Sequence, residues 1–156
     1  MYIRKASRQD SEVVSKLLKN KYSFSSEEEA LQTFADECRY SHFRIAEEDC
    51  RAVGIIGWQP EGTLRHGVVE LTRLAIDTDA RNPKQIKEML FDVMIAEADY
   101  FYKQQGYKLR KVFSMIHADC QHIKEFYEDK GMQQEAVLRD HFHRGKDELV
   151  FSLFLA

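Results

Sequence analysis

A strand, a long helix and a second strand follow one another at the centre of the chain. The stretch Val68–Ile76 has the strongest strand pattern of the sequence, because it is rich in β-branched and apolar residues. Asn82 is a good N-cap, Pro83 suits the first helical position, and Gln85 completes a capping box. The apolar stripe of this helix consists of Ile86, Met89, Leu90, Val93, Tyr100 and Phe101. With Lys111–Ile116 as the next strand, the succession predicts a mixed sheet that carries helices.

Shorter patterns on both sides complete the predicted order of elements. Further strands are predicted at Tyr2–Ala6, His42–Ala46, Ala52–Trp58, Gln134–His141 and Glu148–Leu155. Further helices are predicted over 13–18 after an entry at 7–10, from a capping box at Ser25 or Ser26 to Cys38, and at His122–Lys130. No internal repeat or linker divides the sequence, so we expect one domain that covers residues 1–156. The expected fold is α/β, in the order β-α-α-β-β-β-α-β-α-β-β, with a mixed central sheet and helices on both faces.

The composition argues against several classes of protein. The chain has 156 residues, of which 44% are hydrophobic and 31% charged, and this balance suits one globular core. Its net charge of −3 gives no positive field that would gather nucleic acid or an anionic membrane, so we expect neither partner. The opening residues lack the apolar stretch of a signal peptide, and no run is long enough to span a bilayer. Because Cys38, Cys50 and Cys120 are odd in number and widely spaced, we expect reduced thiols in a cytoplasmic protein.

The junction between strand 68–76 and the following helix has the features of an anion site. The first N–H groups of a helix have no intrahelical partner, and the helix dipole adds about half a positive charge there. Arg81, Lys84 and Lys87 bring further positive charge to the same place. Such a helix end favours phosphate. A well-capped helix with solvated lysines explains the same residues, so both interpretations remain open at this point.

The order of elements and three local strings resemble the GNAT superfamily of acyl-CoA-dependent N-acyltransferases. The strings are ELTRLAID (Glu70–Asp77), Arg81 at the head of the next helix, and FYEDKGM (Phe126–Met132). The resemblance implies that acetyl-CoA is the co-substrate, with its pantetheine arm along the central strand and its pyrophosphate at the helix start. The residues implied to bind it are Leu74, Ala75, Ile76, Arg81, Asn82, Lys84, Gln85, Ile86, Lys87 and Cys120.

The sequence departs from this family in the pyrophosphate loop, which usually reads Arg-Gly-x-Gly-x-Gly or Ala. Asn82, Lys84 and Ile86 stand where the small residues are expected, and Cys120 replaces a family asparagine. Glycine lets a backbone approach phosphate closely, whereas Pro83 removes one donor. The departures leave two alternatives to an acetyltransferase. One is a longer acyl donor, carried by coenzyme A or an acyl carrier protein, and the other is a non-catalytic binding module.

Two catalytic residues are implied by the resemblance. Glu70 stands at the position of the general base in histone-type members, a role that suits a carboxylate with a raised pKa. Its structural alternative is an ion pair with Arg73 or another cation. Tyr127 in FYEDKGM resembles the tyrosine that gives a proton to the leaving thiolate, and its alternative is aromatic packing. A backbone N–H within 74–76 would stabilise the oxyanion.

The acceptor is expected to be a primary amine of a small molecule or a peptide. We expect Trp58, Arg73 and His117 to contact it. A half-buried structural histidine is the alternative for His117, and a core or dimer-contact aromatic residue is the alternative for Trp58. The resemblance also allows a homodimer.

Two further patterns bear on other functions. The string at 70–73 also resembles the EL-S/T-R string of acyl-homoserine-lactone and related N-acyl amino acid synthases, which share the fold. His141 and His143 lie on one face of a predicted strand, but no third ligand stands at a recognisable spacing, so we expect no metal.

Overall fold

A computed structural model describes residues 1–155 and shows the order of elements that the sequence predicts. The strands are β1 Tyr2–Lys5, β2 His42–Glu48, β3 Arg51–Glu61, β4 Val68–Ile76, β5 Lys111–His117, β6 Gln133–His143 and β7 Lys146–Phe154. The helices are α1 Ser11–Lys21, α2 Glu27–Glu37, α3 Pro83–Gln104 and α4 Gln121–Asp129. Within residues 1–155 the strands form one seven-stranded sheet in the order β1-β2-β3-β4-β5-β7-β6, with helices on both faces. The predicted α/β fold class is therefore confirmed.

The chain divides into two compact units. The first consists of Met1–Gln59 and Arg73–Tyr100, and the second of residues 60–72 and those from 101 onward. Strand β4 contributes Val68–Thr72 to the second unit and its remaining residues to the first. The single domain expected over residues 1–156 stays a prediction.

The first unit is built on β1, β2 and β3, which pair in antiparallel order. Helices α1 and α2 cover one face of these strands, in a core that includes Val14, Leu18, Phe34, Phe43, Ile45 and Ile55. On the other face, α3 packs closely over Gly54. A Cβ atom at Gly54 would lie 2.9 Å from the Ile76 side chain and 3.1 Å from the side chains of Ile86 and Leu90. The glycine therefore allows the start of α3 to lie directly on β3.

The second unit is built on β5, β7 and β6, with the first half of β4 parallel to β5. Alternate residues of β5 are buried, and Ser114 on the buried side contacts α4 through Tyr127. The Tyr127 ring also lies 5.9 Å from the Phe151 ring of β7. Helix α4 is followed by Gly131, whose φ of 83° allows the chain to reverse, as the sequence predicts.

No helix within residues 1–155 combines the length and the apolar character needed to cross a membrane.

Candidate active site

Helix α3 begins where the sequence predicts, and part of its first turn is open. Asn82 Oδ1 accepts a hydrogen bond from the Gln85 N–H at 3.2 Å, and the Asn82 carbonyl accepts one from the Ile86 N–H at 3.1 Å. Pro83 has no N–H. Among residues 1–155 the N–H groups of Asn82 and Lys84 have no hydrogen-bond partner. Two backbone donors at this helix end are therefore available to an anion.

Carboxylates lie beside the same helix start. Asp49 and Cys50 have φ values of 50° and 60°, which form the tight turn between β2 and β3. This turn presents Asp49 to Arg81, and the two side chains form an exposed ion pair. The Arg81 N–H also lies 3.4 Å from the Glu48 carboxylate. An anion at this helix start would therefore compete with Asp49 for Arg81.

The two lysines of the helix start differ in their surroundings. Lys84 is exposed, whereas Lys87 is half-buried. Burial lowers the pKa of Lys87, and the charge of Lys21 lowers it further. Lys84, like Arg81, is thus an exposed cation at the start of this helix.

The end of β4 carries the residues expected to pair with the pantetheine arm. Leu74, Ala75 and Ile76 are all buried. The Leu74 N–H donates a hydrogen bond to the Tyr22 hydroxyl oxygen at 2.9 Å. Tyr22 therefore occupies one of the N–H groups that the sequence assigns to the donor or to the oxyanion.

Within the first unit, Arg73 is bonded to Glu37 and lies against the rings of Tyr22 and Phe24, an arrangement that we call the Arg73 clamp. Its Nε and one terminal nitrogen donate to the Glu37 carboxylate at 3.2 and 2.6 Å. The guanidinium carbon lies 4.7 Å from the centre of the Tyr22 ring and 5.5 Å from that of Phe24. Burial by itself would lower the pKa of Arg73. The hydrogen bonds to Glu37 have a larger effect in the opposite direction, so the pKa of Arg73 is raised. The clamp fixes the segment between α1 and α2 to β4, and a role of Arg73 toward the acceptor stays a prediction.

Trp58 lies fully within the core of the first unit. Its indole N–H donates to Glu97 Oε2 at 3.1 Å, and its ring stacks on His42 at 4.2 Å. Arg44 donates to the other Glu97 oxygen at 2.8 Å. The structure thus shows a packing residue with a bonded N–H, and a role of Trp58 toward the acceptor stays a prediction.

Glu70 lies at the point where the pairing of β4 with β5 ends. The two strands pair at Val68–Glu70 and Lys111–Phe113, although each continues beyond these residues. Glu70 is half-buried. Thr72 follows two residues later, and its Oγ1 is buried without a hydrogen-bond partner in the described part of the chain. A buried hydroxyl without a partner costs about 1–3 kcal/mol, so this position is suited to a polar ligand or a water.

Tyr127 uses its hydroxyl within the second unit. The hydroxyl donates to Ser114 Oγ at 2.9 Å, and the Ser114 hydroxyl donates to the Leu71 carbonyl at 2.9 Å. Leu71 is the first residue of β4 beyond those that pair with β5. Its carbonyl therefore accepts a hydrogen bond from the Ser114 side chain, at a position where the β5 backbone no longer pairs with β4.

Cys120 precedes α4, and its N–H donates to the His117 carbonyl at 3.0 Å. The acid role of Tyr127 and the donor contact of Cys120 stay predictions.

We expect the free energy of unfolding of Tyr127→Phe to be about 1 kcal/mol lower than that of the wild type. The variant loses the buried hydrogen bond from the Tyr127 hydroxyl to Ser114, while Ser114 keeps its bond to Leu71. Urea denaturation followed by circular dichroism measures the difference. Tyr107→Phe is the matched control, since Tyr107 is exposed and its hydroxyl has no partner in residues 1–155. Equal stabilities of the two variants would contradict the expectation.

His117 forms a pair with a buried carboxylate. Its Nδ1 lies 2.6 Å from Glu148 Oε1, and neither atom has another polar partner in the described part of the chain. The Glu148 side chain is only 4% exposed, whereas that of His117 is 28% exposed. The two residues are directly opposite each other in the pairing of β5 with β7. The pair fixes the orientation of the imidazole ring.

Sequence reasoning missed the partners that fix these side chains. Tyr22, Glu37, Asp49, Ser114 and Glu148 carry no local pattern that marks them. Glu37 and Arg73 are 36 residues apart in the chain, and Arg81 and Asp49 are 32 apart. Only the pairing of strands and helices brings such residues together.

Comparison with solved structures identifies the fold. A Desulfovibrio desulfuricans protein, whose name places it among acetyltransferases of the GNAT family, has a TM-score of 0.73 and 23% identity over 99% of both chains. The ribosomal-protein-S18-alanine N-acetyltransferase of Escherichia coli has a TM-score of 0.78 and 15% identity over 99% of this chain and 94% of its own. The aminoglycoside 6'-N-acetyltransferase of Enterococcus faecium has a TM-score of 0.72 and 19% identity over 99% and 97%. The chain therefore has the fold of GNAT acetyltransferases.

Comparison by sequence adds no further relative. No family model matches the chain, and no curated protein matches it significantly.

Proposed function

We propose that this protein is an acyl-CoA-dependent N-acyltransferase that moves an acetyl group from acetyl-CoA to a primary amine of a small molecule or a peptide. The observation that best supports the proposal is the start of α3. Among residues 1–155, the backbone N–H groups of Asn82 and Lys84 have no hydrogen-bond partner there, and the side chains of Arg81 and Lys84 add positive charge. The fold that carries this helix start is shared with GNAT acetyltransferases. Such a helix end suits the pyrophosphate of coenzyme A.

In the proposed reaction the neutral amine attacks the carbonyl carbon of the thioester. A nitrogen–carbon bond forms, the carbon–sulfur bond breaks, and sulfur leaves with the bonding electrons. An acceptor that arrives as an ammonium ion loses two protons overall, one to solvent and one to the thiolate. Glu70 is the proposed base and Tyr127 the proposed acid. To act as the acid, Tyr127 has to turn its O–H away from Ser114 and toward the thiolate. Once Tyr127 has given up its proton, the Ser114 hydroxyl is near enough to donate a hydrogen bond to the phenolate.

Acetyl-CoA would require two contacts of the first unit to rearrange. Arg81 would leave Asp49 to reach a phosphate, and Tyr22 would leave the Leu74 N–H if the thioester pairs there. Lys84 supplies charge at the loop where glycines are absent. Ile86 is buried, so only its backbone faces the loop, and its N–H is already bonded to Asn82.

We expect Asp49→Asn to bind acetyl-CoA about threefold more tightly than the wild type, because Arg81 no longer has a competing carboxylate. Titration calorimetry at low ionic strength measures the change, which should shrink as salt is added. Asp129→Asn removes the same charge from an exposed site on α4 and serves as the control. An equal gain in both variants would assign the effect to net charge rather than to Arg81.

The direct test of the proposal is turnover of acetyl-CoA with a panel of amines. The panel contains an aminoglycoside, a peptide that begins with alanine, spermidine and butylamine, and the readouts are released thiol and the mass of the acceptor. The proposal expects acetylated product from at least one amine. A double Arg81→Glu and Lys84→Glu variant should lose acetyl-CoA binding in calorimetry. Failure of the wild type both to bind acetyl-CoA and to acetylate any amine would contradict the proposal.

A longer acyl donor is the second candidate, favoured by the side chains of Asn82, Lys84 and Ile86 in place of loop glycines. Thermal-shift measurements with acetyl-CoA, a long-chain acyl-CoA and an acyl carrier protein distinguish the donors, because a ligand that binds the native state raises its melting temperature. Selective stabilisation by acetyl-CoA would count against the second candidate and against the resemblance to acyl-homoserine-lactone synthases. Binding without any turnover would favour a non-catalytic module.

A further inference from the structure

The first unit contains a pocket of about 460 Å³ between the end of β1 and the start of β2. Two segments line this β1–β2 pocket, residues 5–8 and residues 38–43. The Ala6 N–H donates to the Phe43 carbonyl at 2.9 Å, and this bond joins the two segments. A pocket of this volume is large enough for a small organic molecule.

Three cationic side chains line the β1–β2 pocket, namely Lys5, Arg8 and Arg39. All three are exposed, and none forms a hydrogen bond or an ion pair through its side chain within residues 1–155. Burial raises the pKa of the Cys38 thiol, and the charge of Arg8 acts in the opposite direction. Burial lowers the pKa of His42, and the charge of Lys5 adds to this effect. Arg8 and Lys5 are therefore close to the opposite segment of the pocket.

No carboxylate balances these charges inside the pocket. Among residues 1–155, those that line it include no aspartate or glutamate. The two nearby carboxylates are already paired: Asp10 accepts hydrogen bonds from Arg4 at 2.7 and 3.1 Å, and Glu37 accepts them from Arg73 at 2.6 and 3.2 Å. Three like charges around one pocket without a counter-charge favour the binding of an anion.

The floor of the β1–β2 pocket is apolar. Ala6 and Phe43 are buried, and Cys38 is half-buried. Ser7 and Tyr40 are exposed at the rim, and neither hydroxyl donates a hydrogen bond within residues 1–155. The pocket therefore combines cations and hydroxyl donors at its rim with an apolar floor, which suits an organic anion.

From this arrangement we infer that the β1–β2 pocket binds a small organic dianion of the phosphate or carboxylate class. Arg8 and Arg39 hold its charged groups, because a guanidinium group donates two parallel hydrogen bonds to either kind of anion. Lys5 adds a third charge, and the apolar part of the ligand covers Phe43 and Cys38. The pocket shares no residue with the start of α3, so the inference does not depend on acyl transfer.

Titration calorimetry at low ionic strength and mildly alkaline pH tests the binding. The probes are phenyl phosphate and phthalate, each a dianion on one aromatic ring, and inorganic phosphate. We expect at least one ring probe to bind, and the tighter of the two identifies the charged group. Inorganic phosphate should bind about tenfold more weakly, because it leaves the apolar floor uncovered. Absence of binding by both ring probes, or equal affinities for them and for inorganic phosphate, would overturn the inference.

Substitutions locate the charges that hold the probe. Arg8→Gln and Arg39→Gln should each weaken the binding of the tighter ring probe about tenfold, the loss of one hydrogen bond to a charged group. Arg139→Gln removes the same charge from an exposed site on β6 and should leave the affinity unchanged. Equal weakening in all three variants would assign the effect to net charge and overturn the inference.

The cysteines of the wild type show where the probe binds. Cys38 lines the β1–β2 pocket, whereas Cys50 is exposed in the turn that carries Asp49, the partner of Arg81. A saturating ring probe should slow the alkylation of Cys38 by iodoacetamide several-fold more than that of Cys50, as measured by mass spectrometry of the peptides. A ratio of the two rates that the probe leaves unchanged, or that shifts toward protection of Cys50, would overturn the inference.

Discussion

Replacing Glu37 with alanine is expected to lower the free energy of unfolding by about 3 kcal/mol. The Arg73 and Glu37 side chains are only 19% and 12% exposed, and Arg73 bonds to both carboxylate oxygens. Removal of the carboxylate leaves the guanidinium largely buried between Tyr22 and Phe24 without its counter-charge. Urea denaturation followed by circular dichroism measures the loss.

Two companion variants isolate the cause. Glu28→Ala removes an exposed glutamate of the same helix and should cost no more than about 1 kcal/mol. A double Arg73→Leu and Glu37→Leu variant should recover much of the stability, because no charge is then left buried. Equal free energies of unfolding for Glu37→Ala and Glu28→Ala would show that the Arg73 clamp makes no measurable contribution to stability.

Replacing Glu70 with glutamine is expected to lower kcat/KM about a hundredfold for any amine that the wild type acetylates. Glutamine has nearly the same shape as glutamate but cannot take up a proton at neutral pH, so the variant should fold normally and still bind acetyl-CoA. Steady-state kinetics over a range of pH, together with calorimetry, check both parts of the expectation.

Glu61→Gln is the matched control, since Glu61 is an exposed glutamate at the end of β3. It should retain full activity. An active wild type whose Glu70→Gln variant keeps both its rate and its dependence on pH would remove Glu70 from the reaction.

The elements that the sequence predicts best are those fixed by local chemistry. Strand β4 has the predicted bounds Val68–Ile76, and α3 starts at Pro83 after its Asn82 cap. Where the pairing of strands rather than the local composition decides the end of a strand, the observed bounds differ from the predicted ones. Strand β3 runs to Glu61, beyond the predicted end at Trp58, and β6 continues to His143. A strand can extend into polar residues wherever a neighbouring strand accepts its hydrogen bonds.

The candidate site was predicted less completely for the same reason. The helix start could be located because its cap, proline and cations are adjacent in the sequence. The pair of His117 with Glu148 depends on the register of β5 against β7, which no local pattern specifies. The bond between Leu74 and Tyr22 likewise depends on where the segment after α1 lies. Residues far apart in sequence meet only through tertiary structure.

The position of Trp58 gives the protein a built-in spectroscopic probe. It is the one tryptophan of the sequence, and it is buried in the first unit against His42. Its emission therefore monitors the surroundings of that unit, whereas circular dichroism averages over the helices and strands of both. Melting curves from the two signals should superimpose if the chain unfolds in one cooperative transition, and separate if the units melt in turn.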